Sequence, residues 1–251
     1  MIRSSQDPGN LPTESLVHVL WNAPQPNHCT TTRVATGTPD HLAEQQRLTE
    51  FADLVNAPCT RCIVRKTLAL GYPSFEHRVG PLNPFGLVAG YLGEPEPGPE
   101  HPLTLHSHLG VAWIARDEVN AREGWIDRWK VLIQATSGGD RDFPRMIWDS
   151  PGPFVSPPGE ACTGNYLVAA LCDSATEARS LVGYMRTRFF RFLVARRRLT
   201  RHNTPAVFRL VPDLPLDRVW SDPALFAHFD LDPHETATIE RFVRGWPAPL
   251  R

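Results

Sequence analysis

The stretch SATEARSLVGYMRTRFFRFLVARRRL, residues 174–199, decides the fold expected for this chain. Ser174 and Glu177 have the spacing of a capping box, in which each side chain accepts a hydrogen bond from a backbone N–H that the first helical turn leaves free. Apolar residues then recur with the period of an α-helix that buries one face. They are Ala178, Leu181, Val182, Met185, Phe189, Phe192 and Leu193. The pattern predicts one long helix whose arginines lie mainly on the flanks and on the opposite face.

The same region concentrates positive charge. Residues 176–209 contain nine arginines and one acid, Glu177, whereas the whole chain has a formal net charge of −1. Charge separated in this way creates a local field that the average conceals. The arginines could form either a solvated helix face or a phosphate-binding surface. An ordinary exposed helix, however, mixes charges of both signs through i,i+4 pairs. The scarcity of acids therefore favours contact with nucleic acid.

The segments around this helix indicate an α+β fold. Three apolar runs on its N-terminal side predict strands: LGVAWIA (109–115), WIDRWKVLIQA (125–135) and NYLVAALC (165–172). AVFRLVP (206–212) predicts another strand on its C-terminal side. Two short helices then follow, the first capped by Ser221 or Asp222 and the second by Asp232 with Pro233 at its start. We therefore expect a mixed sheet with the long basic helix packed on it and a short C-terminal helix pair.

The N-terminal third has weaker patterns. Residues 41–55 have the spacing of a short helix with Asp40 as its N-cap, and residues 62–70 fit a strand or a short helix equally well. GEPEPGPEHP (93–102) is a proline-rich surface loop or a linker between lobes. The expected organisation is a loose tail with one short strand at 17–21 over residues 1–30, an N-terminal lobe over 31–102 and a recognition domain over 103–251.

Composition limits the class of protein. The chain has no apolar run of the roughly 20 residues that a membrane span needs and no apolar signal-peptide core, so we expect a cytoplasmic protein without a membrane partner. Five cysteines argue against a disulfide framework. Cys59 and Cys62 have a zinc-like spacing, but a second close pair is missing, and two reduced thiols are the alternative.

The common catalytic motifs are not present. Asn83-Pro84-Phe85 lacks the second proline of the motif with which adenine amino-methyltransferases hold the flipped base, so Asn83 is expected to be a turn residue. Neither lysine follows an acid at the spacing of a metal-dependent nuclease, and no G-x-S-x-G motif occurs. We therefore expect no catalytic residue, metal or cofactor on this chain.

Several blocks in order resemble the C-terminal target-recognition region of type II restriction-modification adenine-specific DNA methyltransferases, including the fused endonuclease–methyltransferases. WIARDEVNAREGWIDRWKVLIQA (113–135) resembles the segment in which the chain enters that region, and CTGNYLVAA (162–170) is similar to the strand that follows. GYMRTRFFRFLVARRRLTRHNTPAVFRLVP (183–212) is similar to its long basic helix and the strand after it, and WSDPALFAHFDLDPHETATIERFV (220–243) is similar to its closing helix pair. About 130 residues are covered well.

The resemblance implies sequence-specific recognition of double-stranded DNA, with S-adenosylmethionine, and Mg²⁺ where a nuclease is present, bound by a catalytic partner subunit or domain. The alternatives are one half of a split methyltransferase that acts only with its partner, or a non-functional remnant. Arginines would contact phosphates, and loop residues near 137–141 and 200–204, with Asn203 or Gln134, would read base edges. The candidate DNA-binding residues are Lys130, Ser137, Arg141, Arg186, Arg188, Arg191, Arg196, Arg197, Arg198, Arg201 and Asn203.

Overall fold

A computed structural model describes three N-terminal strands and residues 58–136, 152–198 and 200–243. The chain forms two compact units, residues 1–62 and residues 63–251. The first unit contains an antiparallel sheet of order β1-β2-β3, formed by β1 (Val17–Trp21), β2 (His28–Arg33) and β3 (Leu42–Arg47). The strand predicted at 17–21 is confirmed.

The prediction of a helix over 41–55 is wrong where the structure describes it, because β3 occupies residues 42–47. β3 pairs along its whole length with β2, with Leu42 opposite Arg33 and Arg47 opposite His28. The neighbouring backbone of β2 therefore satisfies hydrogen bonds that local spacing had assigned to a helix. For residues 62–70 a strand and a short helix were both open, and the chain is helical there up to Ala69, as part of helix α1 (Pro58–Ala69).

The second unit contains two three-stranded sheets. β4 (Leu103–Ser107) and β5 (Gly110–Ile114) form a hairpin. β4 also pairs in parallel with β8 (Glu160–Cys162), so the sheet of order β5-β4-β8 is mixed. β6 (Trp129–Gln134) lies between β7 (Phe154–Ser156) and β9 (Tyr166–Cys172) in an antiparallel sheet. The strands predicted within 109–115, 125–135 and 165–172 are thereby confirmed.

A hydrophobic core contains residues from both sheets. It includes Leu105 of β4, Ile114 of β5, Leu132 of β6, Ala161 of β8 and Val168 of β9, all fully buried. Buried and half-buried residues alternate along β4, because successive side chains of a strand point to opposite faces of the sheet. The proline-rich segment 93–102 lies in this unit, and the backbone of Glu94 pairs with Trp113 of β5.

The arginine-rich segment forms two helices, α2 (Ala175–Arg186) and α3 (Arg188–Arg197), where one was predicted. Thr187 has extended backbone dihedrals and caps α3, accepting from the Phe190 N–H and donating to the Tyr184 carbonyl. Its hydroxyl thus supplies local partners that replace the continuing helical bonds. Ser174 caps α2 as predicted, accepting from the Glu177 N–H. The reciprocal half of the predicted capping box is shifted by one residue, because the Glu177 carboxylate accepts from the Asp173 N–H.

α2 packs on the antiparallel sheet, whereas α3 packs against the C-terminal helix pair. That pair consists of α4 (Asp222–His228) and α5 (Pro233–Phe242). Asp232 and Glu235 form the predicted capping box of α5. The α+β class and the short C-terminal helix pair are confirmed. The strand predicted at 206–212 is wrong, because Pro205–Phe208 is a 3-10 helix that packs on α3.

Candidate nucleic-acid interface

Two of the predicted phosphate contacts, Arg191 and Arg198, are buried in the protein. Arg191 is 2% exposed, and its Nε donates to the backbone oxygens of Arg186 and Thr187, both at 3.2 Å. Burial lowers its pKa to about 10. Arg198 is 3% exposed and donates to backbone carbonyls of the segment after α3. Their assignment as DNA contacts is corrected, because these guanidinium groups satisfy the backbone at the two ends of a core helix.

Arg186 and Arg197 are half-buried and connect α2 and α3 to other segments. Nη2 of Arg186 donates to the Pro153 carbonyl at 3.0 Å, next to the start of β7. Nε of Arg197 donates to the Ala206 carbonyl at 3.2 Å. Burial lowers the pKa of both guanidinium groups, and for Arg197 the charge of Arg209 lowers it further. Both arginines therefore stabilise the packing of the two helices.

Arg188 and Arg196 face the C-terminal helix pair. The guanidinium carbon of Arg196 lies 3.4 Å from the centroid of the Phe242 ring, which is a cation–π contact. Nη1 of Arg188 lies 3.4 Å from a carboxylate oxygen of Glu240. The basic side of α3 is thus covered in part by α5.

Lys130 is fully buried in the central strand β6. Its Nζ donates to the backbone carbonyls of Ile126, Arg128 and Pro157 at 3.2, 2.8 and 3.2 Å. Burial lowers its pKa to about 8. A side chain with 0% exposure does not reach a phosphate, so the prediction of a DNA contact is corrected.

Asn203 is also fully buried and joins two loops. Its Nδ2 donates to the Gln134 carbonyl and its backbone N–H to the Ala135 carbonyl, both at 2.8 Å. Thr136 and His202 form an isolated backbone bridge beside it. Asn203 is therefore a fixed connector and not a reader of base edges, but it brings the chain after α3 to the end of β6.

The remaining candidates for DNA contact are Arg201, Ser137 and Arg141, and Asn83 is the expected turn residue. Arg201 is exposed, in the loop that Asn203 anchors. Ser137 and Arg141 lie outside the described residues. The Asn83 carbonyl accepts from the Gly86 N–H, and Asn83 has a left-handed φ of 52°, which confirms that it is a turn residue.

A cleft of about 710 Å³ opens in the second unit where the end of β6 meets the β4–β5 turn, which we call the loop end of this unit. The β4–β5 hairpin forms one side of it, and the end of β6, the start of β7 and the start of β9 form the other. Its lining residues are His106, Ser107, His108, Gly110, Val111, Gln134, Thr136, Phe154, Asn165 and Tyr166. The volume lies within the range of small-ligand sites, about 300–1,000 Å³.

Three aromatic rings form a connected group in this cleft. The Phe154 and Tyr166 rings have centroids 5.8 Å apart and planes at 89°, and the His106 ring lies 5.1 Å from that of Phe154 at 62°. Edge-to-face contacts of this kind are favourable because the positive ring edge meets the negative ring face. The rings therefore hold one another in place.

Polar groups beside the rings are partly fixed as well. Nε2 of His106 lies 2.7 Å from a carboxylate oxygen of Glu160, opposite β4 on β8. Thr163 Oγ1 donates to Asn165 Oδ1 at 2.8 Å, which sets the orientation of that amide. Burial raises the pKa of Tyr166, so its hydroxyl keeps its proton at neutral pH. The cleft thus combines flat apolar surfaces with hydrogen-bond donors and acceptors.

Sequence reasoning missed this cleft. The signal that could have located it is the alternating pattern LTLHSH, in which His106 and His108 stand two residues apart. That spacing places both on one side of the chain. The other wall comes from residues near 134, 154 and 165, which only the sheet pairing brings together.

The described residues contain no group of three or more His, Cys, Asp or Glu side chains that could hold a metal ion. Cys62 is a free, exposed thiol, and the side chain of Cys59 lies outside the described part, so zinc at this pair stays a prediction. None of the helices described here is long and apolar enough to cross a membrane.

Comparison with known proteins gave no match to a family model, a curated protein or a solved structure.

Proposed function

We propose that this chain binds double-stranded DNA and recognises a specific sequence through the loop end of its second unit. The observation that carries the proposal is the convergence of polar loops at the end of β6. Asn203 and the Thr136–His202 bridge bring the chain after α3, with exposed Arg201, to the mouth of the cleft. Sequence reading needs such polar groups held at a fixed position on a rigid support.

In this proposal the two basic helices have a different role from the one their composition suggests. Arg191 and Arg198 donate to backbone carbonyls just before and just after α3, and Arg196 packs on Phe242. α3 therefore supports the loop that follows it. Direct phosphate contacts are assigned to exposed groups, of which Arg201 is the first candidate.

The resemblance of residues 113–243 to the recognition region of adenine-specific methyltransferases supports the more specific form of the proposal. A separate catalytic polypeptide or domain would then bind S-adenosylmethionine and methylate the adenine, after flipping that base out of the duplex. Co-expression of this chain with a methyltransferase encoded by a neighbouring reading frame tests this form. Site-specific protection of the DNA from cleavage is expected only when both are present.

The experiment for DNA binding is fluorescence anisotropy of a labelled duplex, titrated at several salt concentrations. Because binding releases counterions from phosphates, log K is expected to fall linearly with log salt concentration, by roughly 0.9 for each phosphate neutralised. Arg201→Ala should weaken binding and reduce that slope by about one.

Arg218→Ala is the matched control. Arg218 is also exposed but lies before α4 and contacts Trp220 and Asp217. Its substitution should leave both the affinity and the slope unchanged. A salt-independent signal, or no binding at the lowest salt concentration, would contradict the proposal.

A further inference from the structure

We propose that the cleft between the β4–β5 hairpin and the ends of β6 and β9 is a binding site for a single nucleobase. The base could come from a free nucleoside or, if the proposed DNA recognition holds, from a DNA strand in which one base leaves the stack. The chemistry of recognition is the same in both cases. It consists of a flat aromatic contact on one face and hydrogen bonds at the edge.

The aromatic contact is available at Phe154 and Tyr166. Both rings line the cleft and stand at 89° to each other, with centroids 5.8 Å apart. The His106 ring, 5.1 Å from that of Phe154, also packs against this pair. Every nucleobase has a flat π surface, and base–aromatic stacking contributes roughly 5- to 150-fold in affinity for each base.

The hydrogen bonds at the edge come from groups that the rest of the fold leaves available. Oδ1 of Asn165 accepts a hydrogen bond from the Thr163 hydroxyl, and Nδ2 of Asn165 donates to no acceptor within the described residues. The Tyr166 hydroxyl likewise has no hydrogen-bond partner in residues 58–136, 152–198 and 200–243. Two donors, one amide and one phenol, thus stand on adjacent residues at the start of β9.

His106 supplies an acceptor. Nε2 of His106 lies 2.7 Å from a carboxylate oxygen of Glu160, and the tautomer of the imidazole that donates Nε2–H to this oxygen has an unprotonated Nδ1. Nδ1 of that ring is then the acceptor. The cleft therefore offers donors and an acceptor together, which matches the mixed edge of a nucleobase.

The lining also argues against an anionic ligand. Neither an arginine nor a lysine lines the described wall of the cleft, whereas the carboxylate of Glu160 lies 2.7 Å from the lining residue His106. A phosphate would need charged or multiple backbone donors at this point. The base of a nucleotide is thus placed in the cleft, with its phosphate towards solvent.

The test uses the full chain and two sets of probes. Isothermal titration with adenosine, guanosine, cytidine and thymidine measures binding of the free base. Duplexes that carry the fluorescent base aminopurine at successive positions report whether a base leaves the stack on binding. Methyl glucoside is included because aromatic rings beside amides also fit a neutral sugar.

Three variants assign the signal to the cleft. Tyr166→Phe removes only a hydroxyl and should weaken nucleoside binding about 2- to 13-fold, the contribution of one hydrogen bond. Phe154→Leu removes the stacking ring and should weaken it by at least 5-fold. Tyr72→Phe is the matched control, because it removes a hydroxyl that contacts His228 elsewhere; it should leave binding unchanged. Circular dichroism of each variant verifies folding.

The outcomes separate this inference from DNA recognition. Nucleoside binding that depends on Tyr166 and Phe154 supports the site, and a rise in aminopurine emission that the same variants abolish identifies DNA as the source of the base. Duplex binding with neither nucleoside binding nor an emission change overturns the site while DNA recognition stands. Nucleoside binding without duplex binding supports the site and contradicts the proposed function. Binding of the glucoside alone overturns the site.

Discussion

The buried amine of Lys130 should make the free energy of unfolding depend on pH, and the substitution Lys130→Met should remove this contribution. Burial lowers its pKa from 10.5 to about 8. With 1.36 kcal/mol for each unit of pKa, folding disfavours the charged amine over the neutral one by roughly 3 kcal/mol. The three carbonyls around Nζ bind the ammonium, but no carboxylate accepts from it in the described residues.

The sign of the effect follows from proton linkage. Between about pH 8 and pH 10.5 the unfolded chain holds a proton on Lys130 that the folded chain has released. Its contribution to the free energy of unfolding therefore rises with pH through this window and is constant below it. Lys130→Met has no such group, so the difference between the two proteins should change by about 3 kcal/mol in favour of the wild type from pH 7 to pH 10.5.

The measurement is equilibrium unfolding in urea, followed by circular dichroism at several pH values. The difference between proteins is used because the raised pKa values of Cys162 and Tyr184, both fully buried, lower the stability of every variant at high pH. Lys66→Met is the matched control. The Glu235 carboxylate raises the pKa of Lys66, so its difference from the wild type should stay flat over the same range. A flat difference for Lys130→Met as well would refute the placement of Lys130 in the core.

Two further predictions concern the backbone. Thr187→Ala removes the cap between α2 and α3 and should lower the free energy of unfolding by about 1 kcal/mol in urea titrations. Thr238→Ala, at a half-buried threonine of α5 whose hydroxyl donates to the His234 carbonyl within the same helix, should change it by less than about 0.5 kcal/mol. Equal effects would mean that the break at Thr187 does not depend on its cap. Gly86→Ala places a Cβ 2.9 Å from that of Asn120 at a φ of +75°, and a loss of about 2 kcal/mol is expected in thermal unfolding. An unchanged melting temperature would contradict this tight turn.

Local patterns in the sequence were sufficient for much of the second unit. The capping signals at Ser174 and at Asp232 act within one helical turn, so they could be identified without knowledge of the fold. The run at 165–172 is apolar along its whole length, and β9 is accordingly buried at nearly every position. Such features depend on neighbours in the chain.

The features that sequence reasoning missed depend on distant partners. Arginines were expected at the surface, but the carbonyls of Pro153 and Ala206 give Arg186 and Arg197 partners inside the fold. Lys130 had been assigned to DNA, yet Pro157 contributes one of the carbonyls that hold it in the core. Since long side chains bury their aliphatic part with ease, composition alone does not reveal which guanidinium groups are covered.

The candidate site was predictable only in part. The loop after α3 was assigned to base reading, and the structure does place it beside Gln134 at the end of β6. The aromatic wall was not foreseen, because Phe154 and Tyr166 come from strands that meet only across β6. The arginine-rich segment was expected to contact DNA, but most of its described arginines instead hold helices and loops of the second unit together.

Selection of bound sequences from a pool of randomised duplexes tests the central claim most directly. The purified full chain is incubated with the pool at moderate salt, and the retained DNA is sequenced over successive rounds. Sequence-specific recognition predicts steady enrichment of one short motif, which Arg201→Ala weakens. Retention of DNA without any enriched motif, or no retention at low salt, would contradict it.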